Sequence, residues 1–275
     1  MQFRPYQTDI IEKGTEQINS KGWTYLAMEV RTGKTLTSLG IAHNIGGRVV
    51  FVTKKKAIGS IQNDVDLLES ERIDVEVINY ESVHKIYQPQ TVDVWILDEA
   101  HVMGSFPKPS KRAKTIRKMV ETGVVIFLSG TPSPETTSQL FHQMWVLGQR
   151  NPFAKYRNFY GWARQYCDIY EVHYSQFPVK KYDRCRLNIN DLGLITYSQA
   201  QAGFDNEMRE HFLEVKMSDT IKNLINKIRN DKVVMGETEN IVADTPVKEM
   251  SKIHHSAVRI LVVSASMALT SGSST

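Results

Sequence analysis

The chain has 275 residues, which is long enough for one large domain or two small ones. Hydrophobic residues make up 41% and charged residues 23%, a balance typical of globular proteins that excludes a mostly disordered or collagen-like chain. The 34 basic and 30 acidic residues leave a net charge of +4, which by itself indicates no particular partner. No apolar run approaches the ~20 residues that span a bilayer, so we expect no membrane partner.

The two cysteines, Cys167 and Cys185, are too few for a disulfide scaffold, so the sequence favours a reducing compartment. They form no C-x-x-C pair, and His142, His254 and His255 have no partners at the spacing of metal ligands. We therefore expect no zinc site.

Five short apolar runs in the first 135 residues predict β-strands, because they are rich in valine, isoleucine and aromatic residues. They cover residues 25–28, 49–53, 75–78, 92–97 and 124–128. The segments between them are long enough for crossover helices. This alternation predicts an α/β fold in which helices flank a mostly parallel central sheet. Further along, apolar residues of the segment 205–230 share one helical face and predict a helix.

A phosphate-binding loop is predicted at residues 31–35, between the first strand and a stretch compatible with a helix. Free backbone N–H groups and the helix dipole favour a phosphate at such a junction. Gly33 allows a close approach, Lys34 can reach the terminal phosphates, and the Thr35 hydroxyl can ligate Mg²⁺. The full pattern has a further glycine where this chain has Met28. Since Gly-Lys-Thr also occurs in ordinary loops, its interpretation depends on a second motif.

That second motif is an acidic pair, Asp98 and Glu99, at the end of the fourth predicted strand. Ligands of parallel sheets bind at the carboxyl ends of the strands, where the phosphate loop also lies. Asp98 can hold Mg²⁺, and Glu99 can orient and deprotonate an attacking water. A solvated turn is the alternative for an isolated acidic pair. The occurrence of this pair about 65 residues after Gly-Lys-Thr favours nucleotide hydrolysis instead.

The fifth predicted strand ends in a Ser-Gly-Thr-Pro segment, residues 129–132. Its hydroxyl groups, those of Ser129 and Thr131, are expected beside His101. From there they can relay the state of the nucleotide to a surface that binds the substrate. Only their position supports this coupling role.

These motifs, in this order, resemble those of superfamily 2 helicases and translocases. The matching segments are 4–7 (the adenine-reading element), 31–35 (motif I), 51–54 (Ia), 79–81 (Ib), 98–101 (II) and 129–132 (III). Within the superfamily the chain is most similar to Swi/Snf-type translocases, including small phage members. Three features support this narrower resemblance. They are the segment 107–112 shortly after motif II, the Ser-Gly-Thr-Pro sequence of motif III followed by a helix with Leu140 and Trp145, and the segment 153–167.

The resemblance implies a RecA-like P-loop domain that binds ATP and Mg²⁺ and acts as an ATPase. It implies that Arg4 and Gln7 bind the nucleotide together with the phosphate-loop residues Arg31, Thr32, Gly33, Lys34 and Thr35, with Gln7 contacting the adenine edge. We expect residues 1–137 to form the ATP-binding lobe. The segment 138–258 is then a mainly helical, aromatic and basic connector, and 259–275 a tail. A cytoplasmic location follows, in the host cytoplasm if a phage encodes the chain.

The chain departs from the family in lacking a second RecA-like lobe. After Thr131 no glutamine is followed three residues later by arginine, as motif VI requires. Arginines of that motif stabilise the γ-phosphate, and an arginine finger contributes about 10³–10⁵-fold to the rate. We therefore expect this chain to bind nucleotide better than it hydrolyses it, and to need a second lobe in cis or on a partner subunit.

Nucleic-acid contacts are predicted where bases concentrate. Six bases and no acid lie within residues 108–118: Lys108, Lys111, Arg112, Lys114, Arg117 and Lys118. Ala113, Ile116 and Val120 predict a buried stripe on that helix, so the bases are expected to project outward. A merely solvated face is the alternative. Lys54 and Lys55 after motif Ia, and Asn79 in motif Ib, are further candidates.

An aromatic and basic run at residues 155–164 is expected to pack against the lobe more than to stack on bases. None of the candidate contacts forms a base-reading element, so binding is expected to be independent of DNA sequence. The resemblance, and no residue, favours duplex DNA.

Three functions remain compatible with the sequence. The leading prediction is an ATP-dependent translocase or helicase of which this chain is the first motor lobe. The alternatives are a non-motor module that binds nucleotide or DNA, and a fragment of the motor subunit of a restriction or recombination complex.

Overall fold

The computed structural model of the chain describes residues 3–68, 70–173, 178–203, 219–231, 233–234 and 241–242. The chain divides into two compact units, Met1–Asn206 and Glu207–Thr275. The predicted tail, residues 259–275, lies outside the described residues. None of the described helices is long and apolar enough to cross a membrane.

The first unit contains eight strands and six α-helices among its described residues. The strands are β1 (Trp23–Met28), β2 (Gly47–Thr53), β3 (Ile73–Asn79), β4 (Val94–Leu97), β5 (Val124–Leu128), β6 (Tyr170–His173), β7 (Pro178–Lys181) and β8 (Ile195–Tyr197). The helices are α1 (Pro5–Lys21), α2 (Lys34–Ile45), α3 (Ile58–Leu68), α4 (Lys111–Met119), α5 (Leu140–Trp145) and α6 (Phe159–Tyr166).

Six of these strands form one sheet in the order β3-β2-β4-β5-β1-β8, and every neighbouring pair is parallel. All five predicted runs are strands of this sheet, so the predicted α/β fold is confirmed. The sixth strand, β8, comes from residues 195–197 and is too short to be predicted from its sequence. β6 and β7, a separate antiparallel pair, are also absent from the prediction. The predicted boundary at residue 137 stays a prediction.

Each central strand is buried on both faces, which explains why its sequence reads as a continuous apolar run. All six residues of β1 are buried. Leu26 and Met28 face a core that α1, α2 and α3 cover, whereas Tyr25 and Ala27 face a core that α4, α5 and α6 cover. The two faces of the sheet are thus covered by helices, as in other doubly wound α/β proteins.

The core that α4, α5 and α6 cover contains four closely packed rings, which we call the aromatic cluster: Phe141, Phe153, Phe159 and Trp162. All four are at most 3% exposed. Phe141 lies 5.2 Å from Trp162 and 5.5 Å from Phe159 between ring centroids, with its ring tilted to the first and edge-on to the second. For Phe159 and Trp162 this confirms the expectation that the run at residues 155–164 packs against the lobe, whereas Tyr160 of the same run is 40% exposed.

The described part of the second unit consists of helix α7 (Asp219–Asp231) and the antiparallel pair β9 (Val233–Val234) and β10 (Ile241–Val242). Ile225 and Ile228 of α7 are buried. Over the described residues this confirms the helix predicted within 205–230, of which residues 205–218 lie outside the described part of the chain.

Candidate nucleotide-binding and catalytic site

The strand order brings the three candidate motifs to one edge of the sheet. β4, β5 and β1 are neighbours, and parallel strands end at the same edge. Asp98 and Glu99 follow β4, Ser129 follows β5, and the loop 29–33 follows β1. They lie close together because their strands are neighbours in the sheet. The strand order cannot be read from any one motif.

The backbone of the phosphate loop forms a concave surface at the start of α2. Arg31 and Gly33 have φ of 63° and 77°, on either side of Thr32. Alternation of this kind turns successive N–H groups toward one point, and such nests bind anions. α2 begins at Lys34, and its N-cap Gly33 gives no side-chain cap. The first-turn N–H groups and the helix dipole therefore favour a phosphate here.

The loop itself is held by bonds to the residue that follows β1. The Thr32 hydroxyl donates to the Glu29 carbonyl at 2.6 Å, and Lys34 Nζ donates to the same oxygen at 3.0 Å. Thr32 is fully buried. Thr35 is half-buried in the first turn of α2. The loop is thus preorganised, while the lysine ammonium lies beside it on a flexible stem.

The N-terminal element packs directly on this loop. Tyr6 donates its hydroxyl to the Thr32 carbonyl at 3.1 Å. Gln7 is buried, and its Nε2 donates to Thr37 Oγ1 at 3.4 Å, while its Oε1 accepts from the Arg4 N–H at 3.0 Å. A Cβ on Gly33 would lie 2.6 Å from Gln7 Nε2, and the φ of 77° at this position also favours glycine. In this structure the Gln7 amide makes its hydrogen bonds to other groups of the protein.

β8 adds contacts to the loop that the sequence does not predict. The Glu29 N–H donates to the Tyr197 carbonyl at 2.9 Å, and the Gln199 N–H donates to Glu29 Oε2 at 2.7 Å. The Tyr197 ring stacks on Tyr6 with centroids 4.4 Å apart. The start of the phosphate loop is therefore fixed by residues almost 170 positions further along the chain.

Asp98 is held in a fixed orientation by two hydroxyl groups. Thr53 Oγ1, at the end of β2, donates to Asp98 Oδ2 at 2.7 Å. Tyr80 donates its hydroxyl to the Asp98 carbonyl at 2.7 Å. Burial raises the pKa of Asp98, and the Thr53 hydrogen bond and Lys34 oppose the rise. Burial lowers the pKa of Lys34, which Asp98 and Glu99 oppose. The carboxylate and the ammonium thus stabilise each other's charge.

Glu99 occupies a strained backbone conformation, with φ of 51°. Such conformations in non-glycine residues are typical of functional sites, where surrounding structure maintains them. Its Oε1 lies 3.5 Å from Lys54 Nζ, and its Oε2 lies 3.3 Å from His101 Nδ1. Lys54, a candidate for nucleic-acid contact, therefore pairs with the candidate catalytic base.

His101 connects the acidic pair to the segment after β5. Its Nδ1 lies 3.0 Å from Ser129 Oγ, which accepts from the Thr131 N–H at 3.2 Å. Burial lowers the pKa of His101. The Thr131 side chain is exposed. The structure thus brings His101 and Ser129 together, whereas their coupling role stays a prediction.

Two buried polar residues that are not among the predicted site residues extend this connection. The Tyr25 hydroxyl donates to Gln143 Oε1 at 2.7 Å, and Gln143 Nε2 donates to the Pro132 carbonyl at 2.7 Å. Tyr25 in an apolar strand and Gln143 on a buried helix each looked like ordinary core positions. A polar residue within an otherwise apolar stretch is the signal that could have identified Gln143.

The residues present fit ATP and Mg²⁺. The nest at Arg31 and Gly33 offers N–H donors to phosphate oxygens. Asp98 supplies a carboxylate oxygen near enough to Lys34 for their charges to interact, and Thr35, the next residue after Lys34, supplies a hydroxyl; Mg²⁺ prefers such oxygen ligands.

The candidate nucleic-acid residues lie outside the phosphate site and differ in their surroundings. Most of them have exposed side chains, among them Lys54, Lys55, Lys108, Lys111, Arg112 and Lys114. Arg112 donates from Nη2 and Nε to Glu81 Oε1, at 2.6 Å and 3.1 Å. Asn79 accepts the Ser82 N–H at 2.9 Å, which stabilises the turn after β3.

The basic helix α4 has the predicted buried stripe, since Ala113, Ile116 and Val120 are fully buried. The expectation that all its bases project outward is wrong for Arg117. Its guanidinium lies 4.2 Å from the centroid of the Trp145 ring and donates to the Trp145 carbonyl. Arginine stacks well on aromatic rings, so Arg117 holds α4 against the end of α5.

Comparison with known proteins gives matches among solved structures alone. No protein-family model and no curated protein matches the sequence. The Sulfolobus solfataricus SWI2/SNF2 ATPase core in complex with dsDNA matches with a TM-score of 0.50 and 14% identity, over 86% of this chain and 55% of that chain. The Pyrococcus furiosus Hef helicase domain gives a TM-score of 0.43 and 19% identity, over 53% and 37% of the two chains.

A further match is the ATP-dependent Type ISP restriction-modification enzyme LlaBIII bound to DNA, with a TM-score of 0.34 and 18% identity, over 47% of this chain and 13% of that chain. The chain has the fold of a helicase-like ATPase core. At 14% identity the SWI2/SNF2 match concerns the fold alone, and this chain spans about half the length of that structure.

Proposed function

We propose that the chain binds ATP with Mg²⁺ and hydrolyses it as the first lobe of an ATP-dependent nucleic-acid translocase of the Swi/Snf type. The observation that supports this most is the convergence of Lys34, Asp98 and Glu99 at the carboxyl edge of three neighbouring parallel strands. A phosphate nest, the Asp98 carboxylate and the Glu99 carboxylate are among the groups that phosphoryl transfer to water uses.

In this proposal the nucleotide lies on the phosphate loop, residues 31–35. The N–H groups after Arg31 and at the start of α2 hold the phosphates, and Lys34 exchanges its bond to the Glu29 carbonyl for a phosphate oxygen. Thr35 and Asp98 hold Mg²⁺, which neutralises charge on the phosphates when bound. Thr53 keeps Asp98 oriented toward the loop. Arg4 and Gln7 read the adenine edge, for which Gln7 exchanges its present partners.

Glu99 acts as the general base. A carboxylate oxygen of Glu99 accepts a proton from the water that attacks the γ-phosphate. Lys54 and His101 orient the two carboxylate oxygens. His101, Ser129 and Thr131 relay the change to the segment after β5, which Gln143 ties to α5.

Turnover and movement on nucleic acid require a second lobe, in cis or on a partner subunit, because no glutamine after Thr131 is followed three residues later by arginine, as in the motif that supplies arginines to the γ-phosphate. The exposed lysines Lys55, Lys108, Lys111 and Lys114 contact the phosphates of duplex DNA without reading bases. The S. solfataricus SWI2/SNF2 core is in complex with dsDNA, which supports the choice of duplex.

Binding of a fluorescent ATP analogue to this chain tests the nucleotide site. We expect Lys34→Ala to weaken binding about 10–100-fold, since a hydrogen bond to a charged group contributes about 1.5–3 kcal/mol. Lys13→Ala is the matched control, because Lys13 is exposed on α1 away from the loop. Equal affinity in the two variants would overturn the proposed nucleotide site.

Salt titration of duplex binding tests the DNA contacts. We expect Lys111→Ala and Lys114→Ala each to lower the slope of log Kobs against log salt by about 0.9, the value for one phosphate contact on B-DNA. Lys13→Ala should leave the slope unchanged. Tight ATP binding without any duplex binding would reject the translocase proposal and favour the non-motor module.

A further inference from the structure

The two cysteines of the chain face each other across an antiparallel bridge. Cys167 follows α6, and Cys185 follows β7. The flanking backbone bonds join the Asp168 N–H to the Arg184 carbonyl and the Arg186 N–H to the Tyr166 carbonyl, each at 2.8 Å. These bonds make the cysteines a non-hydrogen-bonded pair.

Directly opposed residues in such a pair have Cα atoms about 4.5 Å apart and side chains on the same side. Disulfides join residues whose Cα atoms are about 4.4–6.8 Å apart. The backbone therefore already holds Cys167 and Cys185 at a separation that a disulfide accepts, although both are free thiols here.

The two thiols differ in exposure and in acidity. Cys167 is buried, and its Sγ lies 3.4 Å from the Ser138 hydroxyl, whereas Cys185 is half-buried and reaches solvent. A hydrogen bond from the Cys167 side chain lowers the pKa of Cys185 to about 6, and burial opposes this. The same pairing and burial raise the pKa of Cys167. Thiolates are the nucleophiles in disulfide exchange, so the accessible cysteine is also the reactive one.

We propose that Cys167 and Cys185 form a reversible dithiol–disulfide site that takes a low-molecular-weight disulfide, such as oxidised glutathione, as its oxidant. The Cys185 thiolate attacks one sulfur of the oxidant, forming a mixed disulfide and releasing one thiolate. Cys167 then loses its proton and attacks Cys185 Sγ, releasing the second thiolate. The protein pair is oxidised by two electrons, and the small disulfide is reduced to two thiols.

The disulfide would tie together the base of the β6–β7 pair. Asp168 and Arg186, each one residue beyond a cysteine, already form an ion pair at 3.2 Å on its exposed side. A cross-link between residues 167 and 185 restricts the unfolded chain, so the oxidised protein should melt at a higher temperature than the reduced protein.

The test is incubation of the native chain with oxidised glutathione, followed by thiol titration in denaturant and by intact mass. Since the chain contains only two cysteines, every change in thiol count reports on this pair. We expect the count to fall from two to zero, the mass to fall by two hydrogen atoms, and the protein to remain a monomer in a non-reducing gel. Dithiothreitol should restore both thiols.

Two variants test the order of attack. Cys167→Ser should accumulate a glutathione adduct at Cys185, because the resolving thiol is gone. Cys185→Ser should remain largely unmodified, because Cys167 is buried. Persistence of two thiols, a lasting glutathione adduct on the wild-type chain, or disulfide-linked dimers would each overturn the proposal. Adduct formation on Cys185→Ser but not on Cys167→Ser would overturn the assigned order.

Discussion

The carboxyl edge of the sheet and the aromatic cluster belong to the same unit but are built in opposite ways. At the edge, Arg31 and Glu99 have positive φ, and charged groups are brought close to one another. In the aromatic cluster the rings are buried and pack against each other. Positive φ in a non-glycine residue costs of order 1–3 kcal/mol, whereas a buried aromatic ring contributes a comparable amount or more. Stability is thus concentrated away from the site of chemistry.

This difference implies that substitutions at the edge should alter activity with little loss of stability. Substitutions in the aromatic cluster should instead lower the free energy of unfolding. The sharpest case at the edge is Glu99→Gln. We expect it to lower the rate of ATP hydrolysis about 10²–10⁴-fold, the usual contribution of a general base, while ATP binding is retained.

Phosphate release under single-turnover conditions, with duplex DNA present, measures this effect. Glu16→Gln on the exposed side of α1 is the matched control and should keep the wild-type rate. A Glu99→Gln variant that hydrolyses ATP at the wild-type rate would show that Glu99 is not the base.

In the cluster, Trp162→Ala should lower the free energy of unfolding by about 3–5 kcal/mol, because a fully buried indole leaves a large cavity. Urea denaturation measures this loss. Tyr160→Ala, on the same helix but 40% exposed, should cost much less. Equal losses for the two variants would contradict the assignment of stability to the buried rings.

The pH dependence of stability offers a third test, at His142 beside the cluster. Burial lowers the pKa of His142 to about 4, and its Nδ1 lies 2.7 Å from the Ser105 carbonyl. As the pH falls below 6.5, the unfolded chain takes up a proton before the folded chain does, so stability is lost between pH 6.5 and about 4.

The shift from 6.5 to about 4 corresponds to a loss of up to roughly 3 kcal/mol over this range. His142→Gln has no titrating group there and should lose correspondingly less stability over the same interval, as measured by urea denaturation at each pH. If the wild type and His142→Gln lost equal stability over this pH range, protonation of His142 would not be the cause of the loss.

The smallest expected effect lies at the edge, in Thr53→Val. Loss of the hydroxyl removes the bond to Asp98 Oδ2, so the pKa of Asp98 should rise further and the carboxylate should hold Mg²⁺ less well. We expect the Mg²⁺ concentration for half-maximal ATP binding to rise about tenfold, with unfolding nearly unchanged. Thr122→Val, on the exposed turn before β5, should leave it unchanged.

Much of the sheet could be predicted from the sequence, because parallel strands that are buried on both faces require unbroken apolar runs. The candidate site residues could be named in the same way, since a phosphate loop needs glycine and lysine at fixed spacing, and their roles stay predictions. β8 could not, because three residues carry too little pattern to separate a strand from a loop. The orientation of Arg117 could not either, since a basic residue on a helix has the same sequence signal whether it faces solvent or Trp145.

The sequence by itself determined which segments form the central strands and which segments contain the Gly-Lys-Thr loop, the acidic pair and the Ser129 and Thr131 hydroxyl groups, because periodicity and motif spacing are local properties. Only the tertiary structure decided that β5 lies between β4 and β1, and this strand order produces the expected proximity of Ser129 to His101. It alone placed Thr53 on Asp98 and Cys167 opposite Cys185. These contacts join residues distant in the chain, and their partners are chosen by strand order and packing.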